Sequence, residues 1–242
     1  RMSRWIFVLL TSLFSLSAHA QQQTCPEDYS SETLAYQVSQ SETALGAMEL
    51  RTAKKATKEA MQFIRCLSTV ADPTLLARLG RSISMLAFFN QDEVVAIQWA
   101  LFVTDTDPDL PWPDQIPTTH PYRNLANSAS FTPIGKADGY ALNPPPNGAI
   151  FKNGTLLMQA ETYSELPLFI QVFDKHKRPV DAYWQNGANF NERWLVAGAG
   201  TYKVPKWVES PGNTPPQPQP NPPRKSFPVV QVSTSAGLAL LA

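Results

Sequence analysis

Cys25 and Cys66 are the only thiols in the chain, so its sulfur chemistry reduces to one choice. A redox-active pair would be spaced C-x-x-C, and that spacing is absent. In an exported chain the two point to a disulfide. It would close a loop of about 40 residues and contribute about 3–4 kcal/mol, mainly by restricting the unfolded chain. The alternative is two unpaired thiols, with Cys66 packed on an apolar helix face. Histidine chemistry is as sparse. His19 lies in an N-terminal leader, which leaves His120 and His176, too few for a His-rich metal site. His120, in Thr118-Thr119-His120-Pro121, reads as a structural residue where a helix begins. His176, between Lys175 and Lys177, reads as an exposed turn residue.

Other reactive patterns are missing. There is no G-x-S-x-G, S-x-x-K or H-E-x-x-H, no glycine loop to cradle a phosphate, and no pair of carboxylates that marks a glycosidase. Asp105, Asp107 and Asp109 alternate as in a calcium loop. Leu110 stands where such a loop needs glycine and Ile116 where it needs a bidentate glutamate, so a solvated helix end is the better reading. Asn153-Gly154-Thr155 matches a glycan acceptor, but a tight Asn-Gly turn already accounts for it. No metal or cofactor is expected. The aromatics Tyr183, Trp184, Phe190, Trp194, Tyr202 and Trp207 are the most suggestive set. Of these, Tyr183, Trp184, Trp194 and Trp207 are the candidate binding residues, as a strip that stacks on sugars or a partner peptide. The competing reading is that a small β-domain uses large residues to fill its core.

The elements that position these residues fall into segments. Residues 1–20 read as a signal peptide: Arg4, an apolar run from Trp5 through Leu16, and Ala18-His19-Ala20 as the cleavage site. The basic and acidic side chains number 20 each. Loss of Arg1 and Arg4 would leave 18 against 20, a net charge of −2. A chain without basic excess is not expected to bind nucleic acid. Residues 24–130 carry helical spacing. A first helix runs from a cap at Ser30 to about Leu45. A second runs from about Met48 to Val70, and a third starts after Asp72-Pro73 with Leu75, Leu76, Leu79, Ile83, Leu86 and Phe89 on one face. A fourth, to about Thr104, buries Val94, Val95, Ile97, Leu101 and Phe102, and a short helix lies near His120–Ser128. Short connections make these helices antiparallel neighbours. Residues 77–110 fit a 34-residue tetratricopeptide frame, with Ile83, Ser84, Ala87, Ala96 and Pro108 in register.

Residues 144–207 change to strand grammar. Ala149–Lys152 and Thr155–Met158 flank Asn153-Gly154 as a hairpin, and Pro167–Asp174, Val180–Gln185, Arg193–Ala197 and Thr201–Val204 follow, which predicts a small β-sandwich or open barrel. Eight of the 22 prolines lie between Pro211 and Pro228, so 208–225 reads as an extended spacer. Residues 226–242 end in Gly-Leu-Ala-Leu-Leu-Ala and read as the start of a transmembrane helix cut short. A short apolar tail, or a strand joined to the β-domain, is the alternative. Arg1 ahead of Met2 fits a frame read past its start.

Several stretches together carry a resemblance: Arg65-Cys66-Leu67, Ala77-Arg78-Leu79, Ala87-Phe88-Phe89-Asn90-Gln91-Asp92, Thr106–Pro111, His120-Pro121, Gly148–Gly154 and Leu166–Val172. Over roughly residues 24–205 the chain resembles exported tetratricopeptide-like (TPR-like) proteins of myxobacterial type. Its β-part resembles PEGA domains, although the eponymous tetrapeptide is missing. Gly80-Arg81 stands where that family commonly has a histidine. The resemblance implies a signal peptide, a helical repeat, a small β-domain and a membrane segment, with no catalytic residues.

The expected fold class is therefore α+β multidomain, an N-terminal antiparallel helical (TPR-like) domain followed by a small all-β sandwich. The expected function is that of a non-enzymatic, exported protein of the periplasm or cell envelope, tethered to a membrane at its C-terminus. It would hold a protein or peptide partner in a helical groove. The alternative is a cell-wall or polysaccharide binder using the β-domain aromatics.

Overall fold

The computed structural model describes residues 25–129, 140–157, 166–185, 194–197 and 204–208. The expected leader, the spacer beyond residue 208, the apolar end, Phe190 and Tyr202 lie outside the described residues. The described chain is α+β, with helices α1 (Ser31–Gly46), α2 (Leu50–Phe63), α3 (Pro73–Phe89), α4 (Glu93–Thr106) and α5 (Pro121–Ala129). Three starts are fixed by side chains that accept an orphan backbone N–H. Ser30 Oγ takes Thr33 N–H at 3.3 Å, Asp72 takes Leu75 N–H at 3.1 Å, and Asp92 takes Val95 N–H at 3.2 Å. Pro73 opens α3, where its missing N–H costs nothing.

The helices pair as two antiparallel hairpins. Leu34 and Val38, early in α1, share a cluster with Ala60, late in α2, and Ile64 just beyond its end. Ala44 and Leu45, late in α1, meet Leu50 and Ala53 at its start. In the second hairpin Ser84 Oγ donates to Ala96 O at 2.6 Å. Gly80 passes so close to Phe102 that a Cβ would stand 2.5 Å from its ring. Only a glycine permits that crossing. Val94, expected inside, is 68% exposed. It shares a face with Leu101, but the cluster of Ala100, Leu101, Ala129 and Leu166 covers only the later end of α4.

Helix α2 stops earlier than the apolar spacing predicts. After Phe63 the chain makes one 3₁₀ turn, Ile64–Cys66, and Leu67 is extended (φ −61°, ψ 130°). The segment that follows is used by the sheet. Gln171, fully buried, accepts Ala71 N–H at 2.8 Å and donates to Thr69 O at 3.1 Å. A continued helix would have turned Ala71 N–H inward to Leu67 O, whereas Thr69 O, four residues before Pro73, would have gained no helical donor.

The strands are β1 (Tyr140–Leu142), β2 (Ala149–Lys152), β3 (Thr155–Leu156), β4 (Leu168–Phe173), β5 (Pro179–Gln185) and β6 (Leu195–Ala197). Four form an antiparallel sheet in the order β3-β2-β4-β5, and β1 pairs with β6 separately. β1 was not expected, and Thr201–Lys203 lie outside the described residues. Alternation sorts β4 onto two buried faces. Leu168, Ile170 and Val172 pack with Ile150, Leu157 and Trp194. On the other face Phe169 enters the helical core beside Leu34, Leu76, Leu79, Trp99 and Phe102. The helical and β segments therefore share one cluster.

The β2–β3 turn locks that junction. Asn153 (φ 50°) and Gly154 (φ 78°) supply the two left-handed positions of the predicted hairpin. Asn153 Oδ1 also takes Phe169 N–H at 2.9 Å. A Cβ on Gly154 would stand 2.3 Å from Ala71 O and 3.1 Å from Pro73. Gly154→Ala is expected to destabilise the fold by about 2–4 kcal/mol, combining left-handed strain with overpacking against backbone. Urea unfolding of the variant checks this. An unchanged midpoint would mean that the turn does not seat on the start of α3.

Candidate functional site

Cys25 and Cys66 form a disulfide, with Cα atoms 5.5 Å apart and a sequence separation of 41. It fastens the segment before α1 to the end of the 3₁₀ turn. The aromatic candidates take different places. Trp184, partly buried, packs edge-on against Trp99 (centroids 5.3 Å apart) and near Phe102 (5.7 Å) and Phe169 (4.9 Å), against the shared core. Trp194 is 9% exposed and donates Nε1–H to Asp181 at 2.7 Å. Tyr183 packs on the opposite sheet cluster, and burial pushes the pKa of its hydroxyl up. Trp207 is half-buried over Phe151 and Phe173, with Nε1–H on Asn147 O at 3.0 Å and Lys177 Nζ 5.9 Å from its ring. These four do not make one exposed strip. Tyr183 and Trp184 alternate to opposite faces of β5, as neighbours in a strand must.

The other sequence candidates have local duties. His120 Nδ1 accepts Tyr122 N–H at 3.2 Å, with the rings of Phe88 and Phe89 each 6.3 Å away. His176 is exposed in the turn held by Asp174, which accepts its backbone N–H at 2.8 Å. Asp105 pairs with Lys152 at 3.5 Å, and Asp107 accepts from Thr74 Oγ1 at 2.9 Å. Among the described residues no group of histidine, cysteine, aspartate and glutamate could hold a metal ion.

The concave feature of the helical layer lies between α1 and α3, where the proline-broken segment after α4 crosses them. Its anchor is Arg81, whose side chain is only 8% exposed although it sits mid-helix in α3. A buried cation needs complete pairing to be tolerated. Arg81 donates to Pro111 O at 2.7 Å and to Glu42 on α1 at 3.0 Å, and Glu42 also receives Arg78. The hydrogen bond to Glu42 raises the pKa of Arg78. Gly46 lets the crossing segment approach, since a Cβ there would stand 3.2 Å from Gln115 Cγ.

What remains open is a cleft of about 220 Å³. Leu45, Met85, Phe89 and Ile116 give it apolar walls, and Glu42, Arg81 and His120 give it a polar side. Ser82 also lines it, with a buried Oγ that has no partner among the described residues. This combination can hold an apolar side chain beside a hydrogen-bonding group. It offers no activated nucleophile. Sequence reasoning singled out Gly80-Arg81 only as a departure from a family pattern. The signal available was a cation inside the apolar run of α3.

Behind the cleft Tyr122 is 1% exposed, and its pKa is pushed up to about 12 by burial, opposed by a hydrogen bond with Ser84 and by Arg81. A pKa raised in the folded state gives stability that is complete below the unfolded value of about 10 and is lost as pH rises through about 12. The urea midpoint is therefore expected to fall from about pH 10 upward, and less steeply in Tyr122→Phe. Parallel pH profiles for the two proteins would show that Tyr122 ionises freely.

Among the described residues no helix is long and apolar enough to cross a membrane. No family model, curated protein or solved structure matches the chain.

Proposed function

We propose that this chain is an exported, non-enzymatic scaffold of the cell envelope that holds a protein or peptide partner in a TPR-like groove. The observation that carries the reading is the cleft between α1 and α3. Two antiparallel hairpins, α1–α2 and α3–α4, are set so that α1 and α3 lie side by side. Ser39 and Glu42 meet Arg78 and Arg81 in the same order along both helices, so α1 and α3 run parallel. In stacked helix pairs that arrangement makes an inner face available to a ligand. The disulfide supports an oxidising compartment. On this reading the Pro-rich run is a spacer of roughly 40 Å between the folded part and a membrane tether.

The helical and β parts would act as one supporting body behind the cleft, since Phe169 and Trp184 belong to the helical cluster. For the polysaccharide alternative, Trp194 is buried and Trp184 is packed against the helical core, which leaves Trp207 as its main support.

Met48, 60% exposed, lies at the cleft, and Val94, 68% exposed, lies away from it. A photo-crosslinking amino acid at either position samples the two surfaces in the producing cell. A discrete protein adduct is expected from position 48 and none from position 94. Adducts from position 94 alone, or from neither, would contradict the groove reading.

A further inference from the structure

Helix α2 carries a feature that neither its own stability nor the groove explains. Arg51, Lys54, Lys55 and Lys58 fall at i, i+3, i+4 and i+7, which aligns them in one stripe about 10 Å long. All four are exposed, and the opposite face, Ala53, Ala56, Thr57 and Ala60, is buried. None of the four makes an ion pair or side-chain hydrogen bond with a described residue. The surroundings are acidic: residues 25–129 hold eight basic and thirteen acidic side chains, 8 − 13 = −5. Half of those cations lie in this single stripe.

The arrangement works against the helix that bears it. Arg51, Lys54 and Lys55 crowd the N-terminal half, where the helix dipole disfavours positive charge. The first turn holds no acidic residue, and Glu49 makes no side-chain cap, whereas Ser30, Asp72 and Asp92 cap α1, α3 and α4. The stripe's own i,i+4 neighbours, Arg51 with Lys55 and Lys54 with Lys58, are like-charged and repel. Only Lys55 has an acid four residues on, Glu59, and no ion pair forms between them. Charges placed at a cost to their own helix point to something outside the fold that neutralises them.

We propose that the α2 stripe rests on an anionic phospholipid surface. Three of the four cations are lysines on flexible stems, and none of the four lines the cleft between α1 and α3. Such a row gives diffuse attraction to a plane of negative headgroups, without the paired geometry that a shaped carboxylate or phosphate partner uses. Each cation near such a surface is worth about a fivefold change in partitioning.

Lysine footprinting of the full chain tests the contact even if another segment also holds the vesicle. The chain is mixed with phosphatidylglycerol or with phosphatidylcholine vesicles and treated briefly with an amine-acetylating reagent, and the modified lysines are read by mass spectrometry. Lys54, Lys55 and Lys58 are expected to lose about fivefold or more of their labelling on phosphatidylglycerol only, and to regain it at about 0.5 M salt. Lys175, exposed in the β4–β5 turn, is the unchanged control. In Lys54→Gln/Lys55→Gln, protection of Lys58 should fall by at least tenfold in the vesicle concentration required. Equal labelling of the stripe on both vesicles would overturn the proposal. So would equal protection by soluble heparin without lipid, which would assign the stripe to a free polyanion.

Discussion

One buried carboxamide joins the two kinds of secondary structure in this chain. Gln171, in the middle strand β4, satisfies Ala71 N–H and Thr69 O from a segment 100 residues earlier. Ala71 is buried, and its N–H would otherwise be left without a partner at a cost of about 1–3 kcal/mol. The same short segment lies between Cys66, tied to Cys25, and Asp72, which caps α3. A local fault there would loosen the start of α3, the seat of the hairpin turn at Gly154 and the disulfide's anchor together. The Trp99–Phe102–Phe169–Trp184 cluster fills the space beside it with aromatic edges and faces.

The cleft depends on this junction at one remove. Arg81 is two turns beyond the capped start of α3, and its position between Glu42 and Pro111 holds α1, α3 and the crossing segment in one arrangement. Removing Glu42 would leave a buried cation with half of its compensation. A cleft built this way is rigid on its helical side, where a partner would have to fit an existing shape.

Much of the helical layer was legible in sequence because its signals are local. Ser30 and Asp72-Pro73 mark starts that the structure places at Ser31 and Pro73, and Asn153-Gly154 marks a turn that adopts the two left-handed positions it requires. The cysteine pair was legible from its number taken with the expected export. The end of α2 was not, because Leu67–Ala71 is helix-compatible by spacing and is recruited by a glutamine a hundred residues away. The roles of Trp184 and Trp194 were equally hidden, since composition cannot say which face of a strand meets another layer. The residues that build the cleft were hidden for a related reason: Arg81 becomes a paired, buried group only when α1 supplies Glu42. Long-range polar pairing leaves no periodic trace.

The central claim is that the helices and the four-stranded sheet form one cooperative body through Gln171 and the aromatic cluster. Native-state hydrogen exchange compares the two layers directly, using the amides of Ile170 and Val172 in β4 and of Leu79 in α3. The account predicts that all three exchange through the same global opening, with equal free energies and equal denaturant dependence. Exchange of the β4 amides through a lower-energy opening that leaves Leu79 protected would contradict it, and would make the sheet a separately folding unit.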